Sequence, residues 1–158
     1  MMIEPISSED EPAVLALNTI HAAQLSLLDA AGLKRLLDAA YVARRIGDLE
    51  AFMIAFDQDA DYTSPNFLWF RERYPRFAYV DRIAVAESAR GRGHARRLYE
   101  HLFEQARRDG HSIVTCEVNS DPPNPASDAF HDALGFRIVG EAAIHGGVRT
   151  VRYYERAL

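Results

Sequence analysis

The chain has 158 residues, 48% hydrophobic and 26% charged, which fits one soluble domain with a real core. A formal net charge of −5 excludes a general nucleic-acid binder, which needs a basic face. The single cysteine, Cys116, excludes an intrachain disulfide, and no apolar run approaches the ~20 residues of a membrane span. The acidic start MMIEPISSEDE has neither the basic residues nor the apolar core of a secretory signal. A cytoplasmic protein with no membrane or nucleic-acid partner is expected.

In chain order, residues 2–6 predict a short strand. Ser7 and Ser8, followed by acids and then Val14, Leu15 and Leu17, predict a helix start. Residues 25–40 predict a second helix, with Gly32 weakening its middle. Residues 41–47 and 49–56 predict two strands, with Gly47-Asp48 as a hairpin turn. Residues 57–75 mix acids, prolines and aromatics without a period and predict a loop. Its Tyr62, Phe67, Trp69, Phe70 and Tyr74 suit a pocket lining, a core or a dimer surface. Asp57, Asp59 and Asp61 begin like a calcium loop but lack its glycine and terminal glutamate. The six histidines show no pair at metal spacing, so no metal is expected.

Residues 76–85, RFAYVDRIAV, predict the strongest strand. Period-two alternation puts Phe77, Tyr79, Asp81, Ile83 and Val85 on one face. Ala95, Leu98, Leu102, Phe103 and Ala106 predict a helix from about Arg92 to Arg108, stopped by Gly110. Residues 112–118, SIVTCEV, predict a central strand parallel to its neighbour, because the strand-helix-strand unit needs a right-handed crossover. Asn124 and Pro125 predict the cap and first residue of a helix that Gly135 ends. Residues 136–142 and 148–156 predict a hairpin around Gly146-Gly147. The fold class is a mixed α/β (α+β) sheet with helices against it.

One segment breaks a local rule. The third helix opens on Arg90, Arg92, His94, Arg96 and Arg97, with no acid before Glu100, although a helix N-terminus is already positive. A bound phosphate resolves the conflict. Unpaired N–H groups would hold it, and Gly91 and Gly93 would let the backbone bend close. A solvated basic helix start, with Glu100 and Glu104 pairing to arginines, is the plainer reading. A Walker loop is excluded because no Gly-Lys-Ser/Thr occurs. A dinucleotide fingerprint fails at Arg96, where a small residue is required.

At this point the sequence resembles the GNAT acetyltransferases. Their pyrophosphate loop, Gln/Arg-x-x-Gly-x-Gly/Ala after a strand, is matched by Arg90, Gly93 and Ala95 after VDRIAV. A second family pattern is matched in NPASDAFHDALGF by Asn124, Ser127, Phe130, His131, Gly135 and Phe136. The resemblance covers nearly the whole chain as a single GNAT domain, residues 1–158. It implies a mostly antiparallel sheet with a central parallel, splayed strand pair and helices on both faces.

The resemblance also implies acetyl-CoA as cosubstrate. Its pyrophosphate would lie on the backbone of Gly91, Arg92, Gly93, His94 and Ala95. Its arm would lie along Ile83, Ala84 and Val85, facing Glu117 to Asn119, with Asn124, Ser127 and Phe130 beside it. His131 stands where the family often carries a tyrosine acid near the thiol. Asp81 and Glu117 are the candidates for the base. Extra residues in NSDPPNP, between the strand and Asn124, depart from the common pattern. Three readings follow: an N-acetyltransferase for a small amine, one for a protein lysine or N-terminus, or a CoA-ester-binding module without turnover. A homodimer is expected from the same resemblance.

Overall fold

A computed structural model describes residues 1–22 and 25–158. Seven strands form one sheet: β1 (Ile3–Pro5), β2 (Val42–Ile46), β3 (Ala51–Asp57), β4 (Ala78–Val85), β5 (Ile113–Asp121), β6 (Arg137–Ile144) and β7 (Arg149–Ala157). Their order is β1-β2-β3-β4-β5-β7-β6, and every pairing is antiparallel except β4 with β5. Among the described residues five α-helices complete the fold: α1 (Glu11–Ile20), α2 (Ala30–Ala39), α3 (Pro65–Arg71), α4 (His94–Arg108) and α5 (Pro125–Ala133). This is the mixed sheet expected, with one helix more.

The extra helix is α3, inside the segment read as a loop. Ser64 and Pro65 open it, a proline at the first helical position being a start signal. Helix α2 is shorter than expected. Asp29 caps it by accepting from the Gly32 N–H at 2.6 Å, so Gly32 lies in the first turn, where its low propensity costs little.

Two apolar layers flank the sheet. Strand β3 feeds both by alternation. Phe52, Ile54 and Phe56 join Val14, Leu33, Phe67, Phe70, Phe77 and Tyr79 under α1, α2 and α3. Ala51, Met53 and Ala55 join Val80, Leu98, Leu102 and Val114 under α4. Each large side chain buried this way stabilises the fold by about 1.5–3 kcal/mol.

The alternation expected along β4 does not hold. Ile54 pairs with Arg82 but Ala55 pairs with Val80, so Asp81 is the extra residue of a β-bulge. Phe77 and Tyr79 face α3, whereas Ile83 and Val85 pack on the α4 side. The bulge changes the strand's phase at a candidate site residue.

Strands β4 and β5 are parallel partners only at Ala78–Val114 and Tyr79–Thr115. Beyond these pairs no ladder joins them, and the two strands diverge around an open cleft. Among the described residues no helix is long and apolar enough to cross a membrane.

Candidate active site

The cleft has a volume of about 1030 Å³. Residues 80–85 of β4 and 116–119 of β5 form its walls, with Arg90, Asn124, Ser127 and His131. The structure therefore brings Asp81, Ile83, Ala84, Val85, Arg90, Glu117, Asn119, Asn124, Ser127 and His131 to one cavity. Gly91, Arg92, Gly93, His94 and Ala95 do not line it; they form the turn that follows Arg90 and the first residues of α4. Phe130 packs on Tyr99, ring centroids 5.9 Å apart, and lies outside the lining.

That turn is open. Gly91 and Gly93 have φ of 78° and 77°, and an added Cβ would meet nothing within 4 Å at either. The glycines are needed for the left-handed backbone rather than for space. The first intrahelical bond of α4 runs from Arg97 N–H to Gly93 O at 3.0 Å, and among the described residues no side chain caps the end. The N–H groups of the first turn are thus without helical acceptors. The local charge is partly met from elsewhere: the Glu50 carboxylate accepts from His94 Nε2 at 2.8 Å and lies 3.5 Å from Arg92 Nη1. Open amides and diverging strand edges are the features a diphosphate on an extended amide arm requires.

The carboxylates differ. Asp81 has both oxygens engaged: Oδ1 accepts from Tyr62 OH at 2.6 Å and Oδ2 from Arg82 Nε at 2.8 Å. Arg82 is itself held by Asn18 Oδ1 and by Ser26 O and Oγ, at 2.9, 3.2 and 3.0 Å. Glu117 lies two residues beyond the last β4–β5 pair. Its Oε1 accepts from Asn66 Nδ2 at 3.0 Å and its Oε2 from Tyr79 OH at 2.8 Å. Desolvation and the nearby Asp81 charge raise its pKa to about 8, against the pull of those two donors. Burial and the same carboxylates keep the Tyr62 and Tyr79 phenols protonated as donors.

His131 is buried in α5. Its Nδ1 lies 2.7 Å from Ser127 O, and a carbonyl only accepts, so Nδ1 carries the proton. Nε2 then accepts from Tyr99 OH at 2.8 Å. Burial lowers the imidazole pKa, which favours this neutral form.

Several cleft residues escape the sequence reading: Asn66, Arg82 and Tyr99. Tyr99 is hidden within the helical apolar stripe, and Asn66 within a segment whose Ser64-Pro65 pair signals the helix. Of the loop aromatics, Tyr62 borders the cleft, Phe67 and Phe70 are fully buried core, and Trp69 stacks on Tyr153 at 4.2 Å.

Residues 27–136 match the family described as Acetyltransferase (GNAT) family. That is well over half the chain, and the chain belongs to this family of acyltransferases. Among curated proteins it is similar to the L-2,4-diaminobutyric acid acetyltransferase of Wolinella succinogenes, 36% identical over 82 residues. The match covers 52% of this chain and 47% of that protein, so the matched segment spans about half that relative's length. Among solved structures, the ribosomal-protein-alanine N-acetyltransferase from Brucella melitensis superposes with a TM-score of 0.75 at 20% identity, covering all of both chains. A NatC complex bound to Gag peptide and CoA matches with a TM-score of 0.73 at 13% identity, over 99% of this chain and 98% of that one. Likeness at these identities concerns the fold.

Proposed function

We propose that the whole chain is one domain that transfers an acetyl group from acetyl-CoA to a primary amine of a small, amino-acid-like acceptor, by direct attack in a ternary complex. The observation that carries this is Glu117, a carboxyl with its pKa near 8 at the open end of the strand pair. An acceptor amine arrives as an ammonium and must lose a proton before it attacks. A base whose pKa approaches that of the amine takes the proton without a large uphill step. The diaminobutyrate acetyltransferase likeness favours a small acceptor over a protein lysine or N-terminus. No metal enters this scheme.

In this reading the acetyl-CoA arm lies along Ile83, Ala84 and Val85, opposite Glu117 to Asn119. Its pyrophosphate rests on the turn from Gly91 to Ala95, with Arg90 beside it. Asn124 and Ser127 flank the arm, and Phe130 stands behind them against Tyr99. The backbone N–H groups of β4 polarise the thioester carbonyl. Glu117 accepts the ammonium proton and the free amine attacks. As the tetrahedral intermediate collapses, the nitrogen's remaining extra proton passes to the departing sulfur, so the C–S bond breaks, CoA leaves as the thiol and the neutral amide forms. Asp81 is paired to Arg82 and shapes the field around Glu117 rather than taking the proton. His131 and Tyr99 work as a unit at the sulfur: the Tyr99 hydroxyl, which donates to His131 Nε2 in the ligand-free protein, turns to donate to the developing thiolate.

The test is acetyl-CoA consumption with L-2,4-diaminobutyrate across pH. Wild type should show a kcat/KM limb rising to a midpoint near 8. Glu117→Gln should lose the limb and about 10²–10⁴-fold in rate. Turnover of this and other small amines at no more than the background rate would leave the protein lysine or N-terminus reading and the CoA-ester-binding reading in place.

A further inference from the structure

We propose that Asn66 is the positioning residue of Glu117: its side-chain amide, backed by Tyr153, fixes the carboxyl that takes the acceptor's proton. The inference rests on the base role of Glu117 proposed above.

The geometry is a relay of three elements. Asn66 Nδ2 on α3 donates to Glu117 Oε1 at 3.0 Å, while Tyr153 OH on β7 donates to Asn66 Oδ1 at 2.9 Å. With its oxygen occupied by the phenol, the amide presents its N–H side to the carboxylate. A donor at that position favours the ionised form and stops the carboxyl from rotating. An amide turned the other way would favour the protonated form.

The platform is rigid. Phe67 and Phe70 of α3 are fully buried. Trp69 stacks on Tyr153 with 20° between the rings. Gly140 on β6 leaves room for that indole, since a Cβ there would stand 2.4 Å from Trp69. Asn66 borders the cleft, so its amide sits between this core and the reacting carboxyl.

The groups that act on Glu117 come from every side. Tyr79 and Asp81 belong to β4, Tyr153 to β7 and Tyr99 to α4, and Cys116 adjoins it on β5. Asp81 raises the Glu117 pKa, whereas Tyr79 and Asn66 lower it. Tyr79 is locked in the core, which leaves Asn66 as the donor that also faces the acceptor cavity.

The experiment is a carboxyl titration of ligand-free protein labelled with ¹³C at glutamate Cδ. The Glu117 signal is identified by its loss in Glu117→Gln. Asn66→Leu, which keeps the shape but removes the donor, should move the Glu117 midpoint upward by about one unit or more. Asn66→Ala is the second variant and should move it the same way. Tyr153→Phe should give a smaller rise. The rising limb of kcat/KM with L-2,4-diaminobutyrate should move with the titration. Folded Asn66 variants with an unmoved Glu117 midpoint would overturn the assignment. The titration needs no turnover, so it is separate from the base reading, which fails instead if Glu117→Gln keeps full activity.

Discussion

The Glu50 carboxylate, in the turn between β2 and β3, bonds the imidazole of His94 at the first position of α4, with 2.8 Å between Oε2 and Nε2. An acid from more than forty residues upstream thus meets the positive end of a helix that carries no acid in its own first turn. Arg92 leans on the same carboxylate. An incoming diphosphate would compete with it for the same cationic groups.

Glu50→Gln should therefore bind CoA more tightly. One partly exposed charge is worth about 1 kcal/mol, or roughly fivefold in Kd. The gain should shrink as salt rises and screens the loop. Calorimetric titration with CoA at two ionic strengths checks this. Weaker binding in the variant would assign Glu50 to holding the loop in shape.

Stability should fall as pH rises through the range set by Glu117. Its pKa is 4.5 in the reference state and about 8 when folded. Between those values the native protein holds a proton that the unfolded chain has released, so deprotonation costs stability. Urea midpoints should decline between pH 5 and 8.5 in wild type and decline less in Glu117→Gln. The variant should be at least as stable as wild type at pH 8.5. The lowered pKa of His131 acts in the opposite sense, removing stability as pH falls below about 6.5. A wild-type profile as steep as that of the variant would contradict the Glu117 assignment.

Tyr99 and His131 should behave as one device. Tyr99→Phe and His131→Ala should each lower kcat tenfold or more, and the double variant should be little worse than either. Steady-state kinetics on the three proteins decides it. Multiplying losses would mean that the two side chains act separately.

Much of the architecture is readable along the chain because it is local. Turn glycines, caps and periodicity mark α4, α5 and most strands, and two spaced motifs mark the family. Period-two counting fails at Asp81 because a bulge depends on the register of β3 against β4, which no single strand records. Helix α3 is missed although Ser64-Pro65 announces it, because its aromatics serve the core and show no clean amphipathic stripe. For Tyr99, packing and chemistry share one position: the ring fills the core and the hydroxyl reaches His131.

The amino-acid sequence by itself determines the family, the order of the strands, the glycine turn before α4 and most of the residues around the splayed strands. Those follow from short-range sterics and hydrogen bonding, which neighbouring residues set. Only the tertiary structure decides which carboxylate is held by Arg82 and which is left hard to ionise, and which acid steadies the start of α4. Charges and desolvation act through space. A residue's proton affinity therefore belongs to the groups folded around it, not to those beside it in the chain.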